Sequence, residues 1–301
     1  MDPIEKEITP EAYTTDIGDA AIRYLVWGDE GPPLLLMHAT GFLPWLWHPI
    51  ARELAKDYRV IAPYFCSHRQ ADPEAGGLSW RQIAGDVAAF CRSLGIEKPF
   101  AIGHSMGGAV LTIACGAFGL AISRMVLIEP ILLPEELYGI SMEVKDHPLA
   151  GKSIKRRNFW EDEPAVQEYL AAKSFFRTWD REMLDLYKAH AIVPAQTGGY
   201  ELACHPRHEA SLFMGSMAMN PWPLIPEIEC PVLVIEGETS ENRAFIDLQK
   251  AAATFPKGRY MLLNGAGHLI PMEKPVEVLF IATEFFAGHW KNGHRPEAAV
   301  K

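Results

Sequence analysis

Short apolar runs alternate with amphipathic stretches along most of the chain. Unbroken apolar segments such as residues 34–37 predict strands that are buried on both faces. Stretches with helical periodicity lie between them, for example residues 79–95, which start at the N-cap candidate Ser79 and end at Gly95. This alternation predicts an α/β protein with a mostly parallel sheet covered on both faces. The other predicted strands are residues 58–62, 99–102, 124–128, 232–235 and 260–263, preceded by a hairpin over residues 14–27.

One long segment breaks this alternation. Strand signals nearly vanish over residues 131–226, where helical stretches at 164–176, 181–191 and 207–217 are rich in aromatic residues and methionine. Because strands resume afterwards, we interpret residues 131–226 as a helical lid inserted into a core formed by residues 1–130 and 227–301. Two explanations fit its aromatic residues: they pack the lid onto the core, or they line an apolar substrate pocket. The residues predicted to line that pocket are Phe42, Trp160, Phe175, Trp179 and Leu269.

Charge and composition narrow the classes of partner. The chain has 301 residues and a formal net charge of −10, so nucleic acid is not an expected partner. Its apolar stretches are too short to insert into a membrane, and the acidic first thirteen residues do not resemble a signal peptide. Five scattered cysteines without a C-x-x-C pair indicate reduced thiols in the cytoplasm. Whether the chain forms a homodimer stays open at this stage.

The candidate chemistry centres on residues 103–108, which read Gly-His-Ser-Met-Gly-Gly between a predicted strand and a predicted helix. This is the G-x-S-x-G arrangement of a nucleophile elbow, in which a strained turn exposes a serine hydroxyl above the sheet. Gly103 and Gly107 lie where a Cβ atom would collide with neighbouring backbone. Ser105 is therefore the predicted nucleophile. The alternative is a glycine-rich turn that contains an incidental serine.

A serine hydroxyl needs a base within hydrogen-bond reach, and the base needs an acid behind it. His268 follows the last predicted strand in a Gly-Ala-Gly-His loop and is the predicted base. A single histidine is more often structural, but this one stands in the chain order serine, acid, histidine that such a triad uses.

These motifs resemble the α/β-hydrolase family over nearly the whole chain. The matching pieces are residues 38–42 (His-Ala-Thr-Gly-Phe), 103–108 and 265–268. The resemblance is to the lid-bearing branch with bacterial esterases, lactonases, carbon–carbon bond hydrolases and haloalkane dehalogenases. It implies an α/β-hydrolase fold and a reaction that needs neither a metal nor another cofactor. It does not identify a substrate.

The resemblance also directs attention to the acid. Many family members carry it in a Gly-Glu-x-Asp pattern, but residues 237–240 read Gly-Glu-Thr-Ser, so an uncharged serine stands at the usual place. Glu129 ends the preceding predicted strand and resembles the glutamate of haloalkane dehalogenases and zearalenone-type lactonases. We therefore predict Glu129 as the acid, with Glu238 or Glu241 as alternatives. Glu129 could instead be a solvated carboxylate at the hinge of the lid.

An oxyanion hole is also implied by the resemblance. It assigns the two donors to the backbone N–H groups of Thr40 and Met106, with His38 bracing the loop rather than transferring protons. Preorganised donors of this kind stabilise a tetrahedral oxyanion by several kcal/mol, about 3 kcal/mol for each donor.

Together these residues predict acyl transfer to water on a small to medium, mostly apolar ester or lactone. Dehalogenase and epoxide hydrolase chemistry would need an aspartate at position 105. Two alternatives stay open: a carbon–carbon bond hydrolase of aromatic degradation, and a non-catalytic ligand-binding receptor on the same fold.

Overall fold

An eight-stranded sheet forms the centre of the described part of the chain, residues 8–289 of a computed structural model. Its strands are β1 (Glu11–Asp16), β2 (Ala21–Trp27), β3 (Pro33–Met37), β4 (Arg59–Pro63), β5 (Phe100–His104), β6 (Met125–Ile128), β9 (Val232–Gly237) and β10 (Gly258–Leu263). Their order is β1-β2-β4-β3-β5-β6-β9-β10, with antiparallel pairing at β1–β2 and β2–β4 and parallel pairing from β4 onwards. This topology confirms the predicted α/β-hydrolase fold.

Helices cover both faces of the sheet. Successive side chains of a strand point to opposite faces, and all four residues of β6 are buried, so neither face of that strand meets water. The α-helices are α1 (His48–Leu54), α2 (Trp80–Ser93), α3 (Met106–Phe118), α4 (Ala150–Ser153), α5 (Glu163–Ala171), α6 (Arg181–Ala191), α7 (Pro206–Met214), α8 (Leu248–Thr254), α9 (Ile270–Glu273) and α10 (Pro275–Phe286). Helix α2 starts as predicted, because the Ser79 side chain accepts a hydrogen bond from Arg81 N.

The segment between β6 and β9 contains α5, α6 and α7 where its helical periodicity predicts helices. It differs from the prediction in two respects: it also contains the short helix α4, and β7 (Ile192–Pro194) and β8 (Tyr200–Leu202) form a small antiparallel sheet within it. Three-residue strands are too short to show an alternating pattern in the sequence. We call residues 131–226 the insert. Within residues 8–289, no helix has the length and hydrophobicity needed to cross a membrane.

A further difference concerns residues 243–254, whose sequence pattern predicts one continuous helix. The structure has a 3-10 helix at Glu241–Ala244 and starts α8 only at Leu248, where Asp247 caps it by accepting from Lys250 N. Aspartate favours the N-cap over the helix interior, because its side chain satisfies a free backbone N–H group. The helix therefore starts later than its apolar residues suggest. The predictions for residues 1–7 and 290–301 lie outside the described residues.

Candidate active site

Ser105 occupies a strained turn between β5 and α3. Its φ is 55° and its ψ is −116°, a conformation that L-residues rarely adopt. The flanking glycines permit it, since a Cβ on Gly103 would lie 2.7 Å from Gly107 O, and one on Gly107 would lie 2.3 Å from Met37 O. The predicted elbow geometry is therefore present, with the Ser105 hydroxyl at the first turn of α3.

His268 lies between β10 and α9, and its imidazole reaches the serine. Its Nε2 is 3.0 Å from Ser105 Oγ, and its Nδ1 is 2.9 Å from Glu129 Oε2. Both distances are normal for hydrogen bonds. The structure thus brings together the three predicted triad residues. Along the chain, Glu129 is 24 residues from Ser105 and 139 residues from His268.

Glu129 directly follows β6 and its side chain is inaccessible to water. A buried carboxylate is costly unless hydrogen bonds satisfy its oxygens. Besides His268, it accepts hydrogen bonds from Gly237 N to Oε1 and from Ser240 Oγ to Oε2, both at 2.7 Å. Glu129 is therefore not a solvated carboxylate at the edge of the insert.

The loop after β9 supplies this carboxylate with donors. The Asn242 side-chain amide lies 3.5 Å from Glu129 Oε2 and 2.9 Å from His268 Nδ1. The two alternative acids point elsewhere: Glu238 is exposed and accepts from Gly265 N, and Glu241 is exposed in the first turn of the 3-10 helix. The loop thus contributes polar uncharged groups to the site.

The predicted oxyanion loop, residues 38–42, follows β3, which pairs with β5 at Met37 and Gly103. Its His38 donates from Nδ1 to Ala39 O at 2.8 Å and accepts at Nε2 from Phe65 N at 3.0 Å. Burial lowers the pKa of His38 to about 4, so the ring is neutral at pH 7 and its geometry is that of a brace.

The two predicted oxyanion donors lie in the loop after β3 and at the start of α3. Thr40 belongs to the braced loop, and Met106 is the first residue of α3. Within residues 8–289, the N–H groups of Thr40 and Met106 donate to no backbone carbonyl.

His104, the residue before Ser105, contacts the backbone of His268. It is fully buried, and its Nε2 donates to His268 O at 2.9 Å. Burial lowers the pKa of His104 to about 3, which keeps the ring neutral and leaves one nitrogen with a proton to donate. The contact fixes the backbone of the histidine loop on the elbow.

Three of the predicted pocket residues form part of one aromatic cluster. Phe42 packs on Trp179 with ring centroids 5.8 Å apart, and Phe175 packs on Trp179 at the same separation. Leu269 is buried beside the histidine. Trp160 differs, because it is fully buried, its ring packs edge-on against Tyr169 in α5 and its backbone pairs with Tyr200 in β8. These contacts indicate that Trp160 packs the insert.

Sequence reasoning missed Ser240, Asn242 and His104 as members of this site. The sequence shows Ser240 only as an uncharged residue at the usual place of the acid, although its position shortly after a central strand brings it close to Glu129. Nothing in the sequence shows that the Asn242 amide reaches the imidazole, because that contact depends on the 3-10 turn.

Known proteins resemble this chain in sequence and fold. The model of the alpha/beta hydrolase family matches residues 34–280. A putative esterase/lipase of Haemophilus influenzae is 23% identical over 230 residues, which cover 75% of this chain and 73% of that protein.

Solved structures resemble the chain over nearly its whole length. That of E-2-(acetamidomethylene)succinate hydrolase has a TM-score of 0.77 at 20% identity and covers 93% of this chain and 100% of that one. The enol-lactonase from Burkholderia xenovorans LB400 has a TM-score of 0.68 at 19% identity, with 91% and 100% covered. At these identities, the likeness to solved structures concerns the fold alone.

Proposed function

This chain belongs to the alpha/beta hydrolase family, and we propose that it is a serine hydrolase that cleaves a carboxylic ester or lactone through an acyl-enzyme. One observation carries the proposal: His268 lies between Ser105 Oγ at 3.0 Å and Glu129 Oε2 at 2.9 Å. That geometry lets the imidazole accept the serine proton at Nε2 while the carboxylate stabilises the charge that develops on the ring.

The reaction proceeds in two halves. Ser105 Oγ attacks the acyl carbon while its proton passes to His268 Nε2, and the carbonyl oxygen becomes an oxyanion held by the N–H groups of Thr40 and Met106. The tetrahedral intermediate then breaks its bond to the leaving group, which receives the proton from His268. Water attacks the acyl-enzyme by the same route, giving the acid and free Ser105. A lactone gives one hydroxy acid as its product.

The insert acts as the lid in this proposal, with the boundaries 131–226. Its Trp179 packs on Phe42 of the oxyanion loop, and Asp180 N donates to Met272 O in α9, just after the histidine loop. The lid therefore touches the oxyanion loop and the helix that follows the histidine loop. Phe42, Trp179, Phe175 and Leu269 make the side facing the acyl or leaving group mostly apolar. The free, largely buried cysteines are consistent with a cytoplasmic protein.

A carbon–carbon bond hydrolase is the second candidate. The observation that favours it is the aromatic cluster next to the oxyanion loop, where Phe42 also meets the Tyr187 ring edge-on at 6.4 Å. Such a cluster suits an aromatic substrate. The same three residues, Ser105, His268 and Glu129, can cleave a carbon–carbon bond next to a ketone.

A covalent label followed by a substrate panel tests these proposals. We expect an alkyl fluorophosphonate to label Ser105 in the wild type and to leave Ser105→Ala unlabelled. We then expect turnover of p-nitrophenyl esters or lactones and none of a vinylogous aryl diketone. Turnover of the diketone alone would favour the second candidate, and an unlabelled, inactive wild type would favour a non-catalytic binding protein.

A further inference from the structure

An ion pair of the insert packs on the oxyanion loop. Arg156, in the loop after α4, donates from its Nη1 to Glu209 Oε2 in α7. The Glu209 carboxylate in turn covers the Cα atom of Gly41, since a Cβ built there would lie 2.5 Å from Glu209 Oε1 and 2.8 Å from its Cδ. Gly41 has a φ of +76°, which glycine adopts without strain. A carboxylate thus occupies the space that a side chain at position 41 would take.

The same arginine reaches the loop by a second route. Its Nη2 donates to the hydroxyl of Tyr187 at 3.3 Å, and the Tyr187 ring packs on Phe42. The side chain of Glu209 is only 10% exposed, and that of Arg156 is 30% exposed. Arg156 therefore joins α6 and α7 where α7 contacts Gly41 and α6 contacts Phe42.

The position of this carboxylate matters for the chemistry. Gly41 follows Thr40, so the negative charge of Glu209 lies one residue from an oxyanion donor. A like charge close to a developing oxyanion, partly shielded from water, opposes its formation. The guanidinium of Arg156 cancels that charge. The ion pair leaves almost no net charge beside the oxyanion loop, while the Glu209 side chain still packs against Gly41.

We propose that Arg156 is a positioning residue that acts through Glu209, neutralising the carboxylate that supports the oxyanion loop so that the hole can accept negative charge. The inference rests on the proposed function, because it needs Thr40 to be an oxyanion donor. It predicts that the two partners of one ion pair have unequal effects. A purely structural pair would lose activity when either partner is removed.

Isosteric and charge-removing substitutions separate these cases. Arg156→Met leaves Glu209 charged beside the loop, and we expect kcat to fall about 10- to 100-fold. Glu209→Gln keeps the shape over Gly41 and removes the charge, so kcat should stay within about threefold of wild type. The double variant Arg156→Met/Glu209→Gln should regain most of the kcat lost in Arg156→Met. A double-mutant cycle measures this coupling directly. Arg156→Lys keeps the positive charge and should retain activity.

The second readout is the affinity for an alkylboronic acid, which forms a tetrahedral anion on an active serine. We expect the boronate Ki of Arg156→Met to rise in step with the fall in kcat, while binding of the uncharged ester to Ser105→Ala and to Ser105→Ala/Arg156→Met is the same. Arg52→Met is the matched control, because Arg52 and Glu182 form another ion pair between α1 of the core and α6 of the insert. Arg52→Met leaves the Glu182 carboxylate without this arginine, but Glu182 does not lie on the oxyanion loop. The variant should therefore keep the wild-type kcat and boronate Ki.

The outcomes are distinct. A wild type that neither turns over esters nor binds boronate contradicts the proposed function itself. An active wild type overturns the present inference if Glu209→Gln loses as much kcat as Arg156→Met, or if the double variant is no better than Arg156→Met. If Arg156→Met does not fold, Glu209→Gln and Arg156→Lys decide, and a drop of more than about tenfold in folded Glu209→Gln overturns it.

Discussion

The hydroxyl of Ser240 donates a hydrogen bond to Glu129 Oε2 at 2.7 Å across 111 residues of sequence. Ser240 stands where many relatives of this fold carry the aspartate, and Glu129 stands one strand earlier. The loop after β9, which has an uncharged serine at that position, therefore holds the carboxylate that follows the neighbouring strand. In the proposed mechanism, this contact fixes the oxygen that faces His268 Nδ1.

The first prediction concerns the proposed nucleophile. Ser105→Ala should reduce turnover by about four to six orders of magnitude, because no acyl-enzyme can form without the hydroxyl. The fold should persist, since alanine fits the same backbone position with less bulk. Steady-state kinetics and circular dichroism measure both. Retention of a tenth of the wild-type activity would exclude the serine mechanism.

The second prediction concerns the proposed acid. Glu129→Gln should lower kcat by about four orders of magnitude, as the loss of the carboxylate does in other serine triads. Glu238→Gln and Glu241→Gln are the matched controls and should be mild, because both side chains are exposed and neither lies on the imidazole. Kinetics on the three purified variants decide the matter, and equal losses in all three would remove Glu129 from the role.

The third prediction uses the loop after β9. Because the Asn242 amide lies 2.9 Å from His268 Nδ1, Asn242→Asp puts a carboxylate within reach of the same nitrogen. In the Glu129→Gln background it should restore kcat by about 10- to 100-fold. In the wild-type background it places two carboxylates on one imidazole and should lower activity at neutral pH.

Crystallography of the double variant would identify the atom that faces Nδ1. If Asn242→Ala restores kcat in the Glu129→Gln background as much as Asn242→Asp does, the new carboxylate charge is not the cause of the rescue. Ser240→Ala should reduce kcat by about tenfold, since it removes one hydrogen bond to the carboxylate and leaves the other donors.

The fourth prediction concerns pH and stability. The pKa of buried His104 is about 3 and that of buried His38 is about 4, against 6.5 for an ordinary histidine. Above about pH 6.5 both are neutral in the folded and unfolded states and contribute no pH dependence. Below that pH the unfolded chain binds protons that the folded chain excludes, so each lowers the free energy of unfolding by about 1.4 kcal/mol per pH unit until its folded pKa is reached.

Urea unfolding between about pH 7 and about pH 5 measures this slope. His104→Gln removes one of the two groups and can still donate to His268 O, so its slope should be smaller by about 1.4 kcal/mol per pH unit. An unchanged slope in His104→Gln would mean that the ring is solvated in the folded protein.

The strands of this fold could be predicted because parallel strands buried on both faces appear as unbroken apolar runs. The elbow could be predicted because its two glycines are required by contacts below 3 Å with Gly107 O and Met37 O. Glu129 could be named because it directly follows a predicted strand and resembles the glutamate of haloalkane dehalogenases and zearalenone-type lactonases, and its role as the acid stays a prediction.

Other features depend on contacts that no local pattern encodes. Arg156 and Glu209 are 53 residues apart and meet only because α4 and α7 pack together. The position of Asn242 depends on a 3-10 turn, and the late start of α8 depends on an aspartate cap competing with apolar periodicity. These are tertiary or capping effects, which outweigh weak local propensities.

The insert starts next to the proposed catalytic residues. Glu129 is followed by Pro130, and Ile131 N donates to Ser105 O at 3.3 Å, so the first residue of the insert is hydrogen-bonded to the nucleophile. For protein engineering, the insert is therefore not cleanly separable from the core at its upstream end. A chimera that exchanges the insert between relatives from residue 129 onwards would replace the proposed acid Glu129 as well. An upstream junction after residue 131 keeps both Glu129 and the hydrogen bond from Ile131 N to Ser105 O.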